Sequence, residues 1–308
     1  MTAGPESPSV SVIIPTRGRP ELLRHAIGSV LGQAYGGLIE CIVVHDGEDP
    51  PAGESMNAGG RLIVALRNDR NPGAAGARNC GFLKASGDLV ALCDDDDVWL
   101  PGKLRSQVAL LASDADAVGA GGGFLLRHGT RTTVKTPRIT RMTHGHLLRS
   151  RVAEVHPSTL LLRRNLLLER VGLLDEHVPG SYGEDYDWLL RATRHGDFVI
   201  LAQPLAEVLW HPGSYFGGQW QTVSDAIEYL LAKHPDLATD PRGAARLYGR
   251  LAFSHAAMGH RAEARRWAMA CLRKHPREAR AYVALAVGAG AIRPRVAVRL
   301  ANARGRGL

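Results

Sequence analysis

Four consecutive carboxylates, Asp94 to Asp97, stand in LCDDDDVWLPGKL (92–104) of this 308-residue chain. Like charges held so close raise one another's pKa and call for a cation. Hard oxygen donors in such a cluster suit Mg²⁺ or Mn²⁺, which keeps one or two carboxylates and takes phosphate oxygens for the rest. In extended chain Asp94 and Asp96 would share one face, Asp95 and Asp97 the other. The competing role is local: Asp97 could cap a helix opened by Pro101. Both roles are expected, divided among different members.

A second acidic group lies in GSYGEDYDWLLR (180–191), where Glu184, Asp185 and Asp187 follow a glycine-rich turn. Carboxylates in a first helical turn are favoured by the helix dipole. The same placement would serve a general base at the rim of a pocket. The third segment is RNDRNPGAAGARNCGFLKASGD (67–88). Gly73 and Gly76 allow close backbone approach at a helix start, where amides can meet a phosphate, and Arg78 could add a fixed charge against a diphosphate. It is neither a Walker loop nor a GxGxxG dinucleotide fingerprint.

The elements that must position these groups alternate. Strands are predicted over 10–16, 39–44, 62–66 and 88–93, helices over 21–33, 74–85 and 101–111. This βαβ rhythm implies an α/β fold, a Rossmann-like, mostly parallel sheet with flanking helices. Ligands in such sheets gather beyond the carboxyl ends of the strands. Thr16 and Arg17, Asp46, Arg67 and Asn68, and Asp94 to Asp97 should therefore converge on one edge.

From about residue 225 the pattern is helical throughout, which predicts a C-terminal all-α extension. LLAKHP (230–235) is echoed by CLRKHP (271–276), each a helix end stopped by proline. Residues 245–278 follow the spacing of a tetratricopeptide-type hairpin, with Gly259 at the turn. The predicted division is an α/β domain over 1–220 and a helical domain over 221–308. Net charge is +8, yet residues 241–308 hold 15 Lys+Arg against 2 Asp+Glu, leaving 23 against 28 in residues 1–240. A solvated arginine-rich face is the simplest account of the tail; an anionic membrane surface or a phosphate-bearing acceptor is the functional one. Aromatic interleaving is missing, so no nucleic-acid partner is expected.

Taken together, VSVIIPTRGRPELLRHAIGSVLGQ, IECIVVHDG, RNPGAAGARNCGF, GDLVALCDDDDVWLPGKL and GLLDEHVPGSYGEDYDWLLRATRHG resemble, in order and spacing, the family two glycosyltransferases. The resemblance covers roughly residues 8–216. It implies the GT-A fold and an inverting, metal-dependent transfer from a nucleotide diphosphate sugar (UDP- or dTDP-linked) to an acceptor nucleophile. Carried over by position, Pro15 and Thr16 approach the nucleotide, with Arg17 and Arg19 nearby. Asp46 contacts the base, although His45 replaces the acid that usually precedes it. The Arg of the family's ARN is Arg78, and Arg67 and Asn68 lie on the same side. The DXD element falls on Asp94 and Asp96, with Asp94 toward the nucleoside, Asp96 on the metal, and Asp95 beside them. The catalytic carboxylate falls on Asp185, paired with Glu184. A later histidine often completes the metal or diphosphate site, here His211. QxxRW is missing, which argues against a processive polymerase.

Other classes fit less well. A sugar nucleotidyltransferase would need a glycine-rich start with a downstream basic cluster, which VSVIIPTRGRP lacks. A non-catalytic scaffold would not need intact acids at 94–97 and 184–185. A zinc hydrolase on His144, His146 and His156 has no HExxH. Four scattered cysteines exclude a disulfide framework. With no signal-peptide pattern and no apolar run long enough to span a bilayer, the expected location is cytoplasmic, with peripheral contact at the inner membrane face left open. A homodimer through the tail is likewise left open. The arginine and alanine content fits a GC-rich bacterial genome.

Overall fold

The computed structural model describes residues 7–209 and 218–303. His211 lies outside the described residues.

The first strand, β1 (Val10–Thr16), is a β-branched run buried almost throughout. Such runs suit a sheet covered on both faces. Pro20 then opens α1 (Pro20–Leu31), with Glu21 in its first turn, and this helix buries Leu23, Ala26 and Val30. The chain continues through β2 (Ile39–His45), β3 (Met56–Ala58), β4 (Arg61–Arg67), α2 (Ala74–Lys84), β5 (Leu89–Leu92), β6 (Val98–Trp99) and α3 (Lys103–Ala112). There follow β7 (Gly119–His128), β8 (Arg131–Lys135), β9 (Arg141–Met142), α4 (His144–Arg149), β10 (Leu161–Arg163), α5 (Arg164–Leu166), α6 (Glu184–Ala192) and β11 (Phe198–Leu209).

The sheet order is β3-β4-β2-β1-β5-β10-β7-β11-β6, with β8 on β7 and β9 on β11. The first half pairs in parallel: β4, β2, β1 and β5. Register is even, so Thr16 lies opposite His45, and His45 opposite Arg67. The residues after those strands therefore leave the sheet along one edge. The second half is mixed, because β10 enters antiparallel between β5 and β7. Val10, Val12 and Ile14 of β1, Val43 of β2, and Leu23 and Val30 of α1 form much of the core under that edge.

Two compact units emerge among the described residues. One comprises 7–144, 152–176 and 184–209, the other 145–151, 177–183 and 218–303. The second contains α7 (Trp220–Lys233), α8 (Pro241–Ala257), α9 (Arg261–Lys274), α10 (Ala279–Gly288) and α11 (Pro294–Ala303). The two KHP segments do end α7 and α9. Gly259, at φ +83°, turns α8 into α9. Tyr248 and Trp267 meet across that hairpin, tilted 41° with ring centroids 5.3 Å apart, and the Cys271 thiol reaches the Ala245 carbonyl at 3.1 Å. Two short stretches ahead of residue 220 join these helices. Gly243 explains the fit of one, since a Cβ there would lie 1.8 Å from the Leu148 carbonyl oxygen.

All four cysteines are buried free thiols. Among the described residues no helix is long and apolar enough to cross a membrane.

Candidate active site

The quartet does not run on as extended chain. The Asp97 amide donates to the Asp94 carbonyl at 3.1 Å, so the segment closes into a turn. Asp94 and Asp97 consequently share one side, and Asp95 and Asp96 the other. This replaces the alternation expected of an extended segment. Ser158 staples the turn: its hydroxyl accepts from the Asp94 amide at 3.0 Å and donates to the Asp97 carboxylate. Asp97 also faces His156 Nδ1 at 3.3 Å. It does not cap α3, whose N-cap is Gly102.

On the other side, the Thr16 hydroxyl donates to Asp95 at 2.8 Å. Arg19 bridges Asp95 at 3.3 Å and Asp96 at 2.9 Å. A cavity of about 540 Å³ adjoins these groups, lined by Thr16, Arg19, Leu23, Ile27, His45 and Glu54 among others. His45, buried in its wall, meets Glu54 at 2.7 Å.

Arg78 is buried on α2 and ties the two acidic motifs together, reaching Asp94 at 2.7 Å and Glu184 at 3.0 Å. One turn further along each helix, Phe82 stacks on Trp188 with centroids 5.6 Å apart. A polar pair and an aromatic pair thus form one seam between α2 and α6, the aromatic pair contributing about 0.5–1.5 kcal/mol beyond area burial. That seam sets the α6 N-terminus, where Glu184 and Asp185 begin the helix. Asp185 accepts from the Tyr186 amide at 2.8 Å.

The charged groups act on one another as a single cluster. Burial opposes Arg78's charge, but Asp94, Glu184 and Asp185 more than restore it, and its pKa rises. Burial pushes Asp94 up, but Arg78 and His156 pull it below the usual carboxylate range. Asp95 and Asp96 go the other way. Burial raises both, neighbouring aspartates add to it, and Arg19 offsets only part. Burial pulls His156 down, yet Asp97, Asp94 and Asp185 lift it above its ordinary value.

The remaining predicted residues sort into two sets. Asp46 follows β2 and accepts from the Asn68 side-chain amide at 2.8 Å and from the Gly73 amide at 3.0 Å, with Arg17 at 3.8 Å. Gly73's amide is therefore spent on Asp46 and not left for a phosphate. Gly76 serves packing: a Cβ there would lie 1.9 Å from the Asn71 carbonyl oxygen. Arg67 is exposed and paired at 3.1 Å with Asp49, which lines the cavity that Thr16 and Arg19 adjoin. Pro15 sits within β1. Sequence reasoning missed Ser158, and it read His156 only as a hydrolase ligand. Both lie some sixty residues from the quartet and carry no spacing signal.

Asp94, Asp97 and His156 place ligand atoms within 4.8 Å of one another, a donor set that fits a divalent cation.

A model of the family described as glycosyl transferase family 2 matches residues 11–170. The chain belongs to glycosyl transferase family 2. Among curated relatives, the UDP-Glc:α-D-GlcNAc-diphosphoundecaprenol β-1,3-glucosyltransferase WfgD of Escherichia coli is 32% identical over 233 residues, 73% of this chain and 88% of that one. The uncharacterized glycosyltransferase YwdF of Bacillus subtilis is 30% identical over 212 residues, 65% of this chain and 73% of its own. The fold is shared with S. aureus TarS 1–349 in complex with UDP-GlcNAc, at TM-score 0.60 and 14% identity over 97% of this chain and 92% of that one. It is shared also with the mannosyltransferase PcManGT of Pyrobaculum calidifontis in complex with GDP-Man and Mn²⁺, at TM-score 0.56 and 18% identity over 97% and 80%. These are GT-A glycosyltransferases, so the expected fold class holds. Of the classes open from sequence, family two membership supports sugar transfer over nucleotidyl transfer.

Proposed function

We propose that this family two chain is an inverting, non-processive glycosyltransferase that moves a hexose from a UDP-sugar to a hydroxyl of a saccharide or lipid-linked glycan. The observation that carries this reading is the cluster in which Arg78 joins Asp94 to Glu184 beside Asp185 at the carboxyl edge of the sheet. The donor class is supported by the UDP-linked name of WfgD, the most fully covered curated relative named above.

In this account the nucleoside lies along Thr16, Arg17, Asp46 and Asn68. Asp96 would be the principal ligand of a divalent cation, with Asp94, Asp97 and His156 as the adjoining donor set. A bound Mn²⁺ or Mg²⁺ would offset charge developing on the departing diphosphate. Arg19, exposed beside Asp95 and Asp96, would turn from them toward that diphosphate. Arg78 fixes Glu184 and so orients the first turn of α6. Asp185 takes the acceptor proton as the acceptor oxygen attacks C1 from the face opposite the leaving group, which inverts the anomeric centre. Cleavage of the C1–O bond then releases the nucleoside diphosphate.

A thermal-shift screen of UDP-, dTDP- and GDP-sugars with and without Mn²⁺ tests the class and the donor together. Stabilisation by a UDP-sugar that requires the metal is expected. No stabilisation by any nucleotide sugar would overturn the reading.

A further inference from the structure

The last helix of the helical unit, α11, buries only part of its apolar surface. Ala297 belongs to the core of that unit, and Ile292 and Val298 pack against the same cluster. Val296 and Leu300, one turn apart, remain 47% and 54% exposed. At helical spacing, the residues met in going round α11 from the core side are Ala297, Leu300, Val296, Arg299 and Arg295. An exposed apolar strip is thus bordered on one side by the protein core and on the other by two arginines.

Charge decides what can cover that strip. Arg293, Arg295 and Arg299 are all exposed. Residues 281–308 contain these three, Arg304 and Arg306, and no Asp or Glu. Among the described residues Arg293, Arg295 and Arg299 make no ion pair. A second copy meeting this face about a two-fold axis would set each row of arginines near its own image, and like charges brought together oppose such a contact. A bilayer with anionic headgroups meets both needs at once, since it covers apolar side chains and offers phosphates beside them.

We propose that α11 docks on the anionic surface of a lipid bilayer, lying in its plane. Val296 and Leu300 enter the boundary between headgroups and acyl chains. Arg293, Arg295 and Arg299 meet the lipid phosphates, their apolar stems resting on the same boundary. Each arginine near such a surface adds its own increment of attraction. A helix of 10 residues makes reversible peripheral contact and does not span. Docking needs no sugar donor and no metal, so it stands apart from sugar transfer.

Co-sedimentation of the full chain with phosphatidylcholine vesicles, with and without phosphatidylglycerol, tests this. Wild type is expected to sediment with the anionic vesicles and not with phosphatidylcholine alone. The double change Val296→Ser, Leu300→Ser should weaken binding roughly tenfold or more, at an unchanged melting temperature because both side chains are exposed. The double change Arg295→Gln, Arg299→Gln should weaken it by about fivefold per charge removed. No sedimentation of wild type, equal sedimentation with phosphatidylcholine alone, or undiminished binding by either double variant would overturn the proposal. Undiminished binding without Val296 and Leu300 would mean that a basic chain adsorbs by charge alone. A wild-type dimer in sedimentation velocity that the serine variant dissolves into monomers would also overturn it, assigning the strip to a second copy. Failure on vesicles leaves sugar transfer standing, and failure of the nucleotide-sugar screen leaves vesicle binding unchanged.

Discussion

Arg78 and Glu184 meet at 3.0 Å one helical turn ahead of the Phe82–Trp188 stack, and this seam fastens the second acidic motif to the first. Arg78→Met would leave buried Glu184 and half-buried Asp94 without their guanidinium. Removing one partner of a buried ion pair costs about 3–5 kcal/mol. Urea unfolding should show a loss of that size, and Arg78→Lys a smaller one. Wild-type stability in Arg78→Met would show that the pairing contributes nothing.

Lys103 is 1% exposed, bonded to Gln107 at 2.6 Å and poised 3.8 Å over the Trp99 ring. Burial lowers its pKa from 10.5 to about 7. The unfolded chain then binds more protons than the folded one between those values, so stability should rise as pH climbs from about 7 toward 10.5 and level off at its lower value below about 7. Lys103→Met should flatten that slope and be the more stable protein at pH 6. Melting temperatures of both proteins across that range check it; parallel curves would contradict it.

Asp240 caps α8, accepting from the Arg242 and Gly243 amides at 2.9 and 2.8 Å and from Arg149 at 3.1 Å. Burial raises its pKa, but the Gly243 amide and Arg149 outweigh this and hold it below the usual value. A lowered carboxylate contributes stability that is present above its unfolded pKa and lost as pH falls through the folded one. Asp240→Ala should therefore cost roughly 1 kcal/mol near neutrality. The difference from wild type should shrink in acid, as chemical denaturation at pH 7 and pH 3 would show.

Metal binding separates two neighbouring sets. Asp96→Ala should abolish the Mn²⁺ dependence of UDP binding, whereas His156→Gln should lower Mn²⁺ affinity by a few fold at most. Titration of Mn²⁺ by paramagnetic resonance distinguishes them. Loss on His156→Gln with retention in Asp96→Ala would move the ion to Asp94, Asp97 and His156.

The strand ends were legible because β-branched runs stop at Pro or Gly, and Thr16, Asp46, Asn68 and Asp94 do leave the sheet on one edge. The facing of the quartet was not, since alternation presumes extended chain, and a turn brings Asp97 back toward Asp94. That turn is stapled by Ser158, a residue whose part no local pattern announces. Arg78 shows a second limit. A long side chain's partner cannot be read from its position, and the residue expected beside a diphosphate is buried between Asp94 and Glu184. The order of the second half of the sheet was equally hidden, because β10 is only three residues long.

The most direct test of the whole account is single-turnover transfer by Asp185→Asn, with donor binding measured on the same sample. Asn keeps the shape and removes the base, so UDP-sugar affinity should match wild type while transfer falls by about 10²–10⁴-fold, the usual worth of general-base catalysis. Transfer at the wild-type rate by a variant that binds donor normally would contradict it.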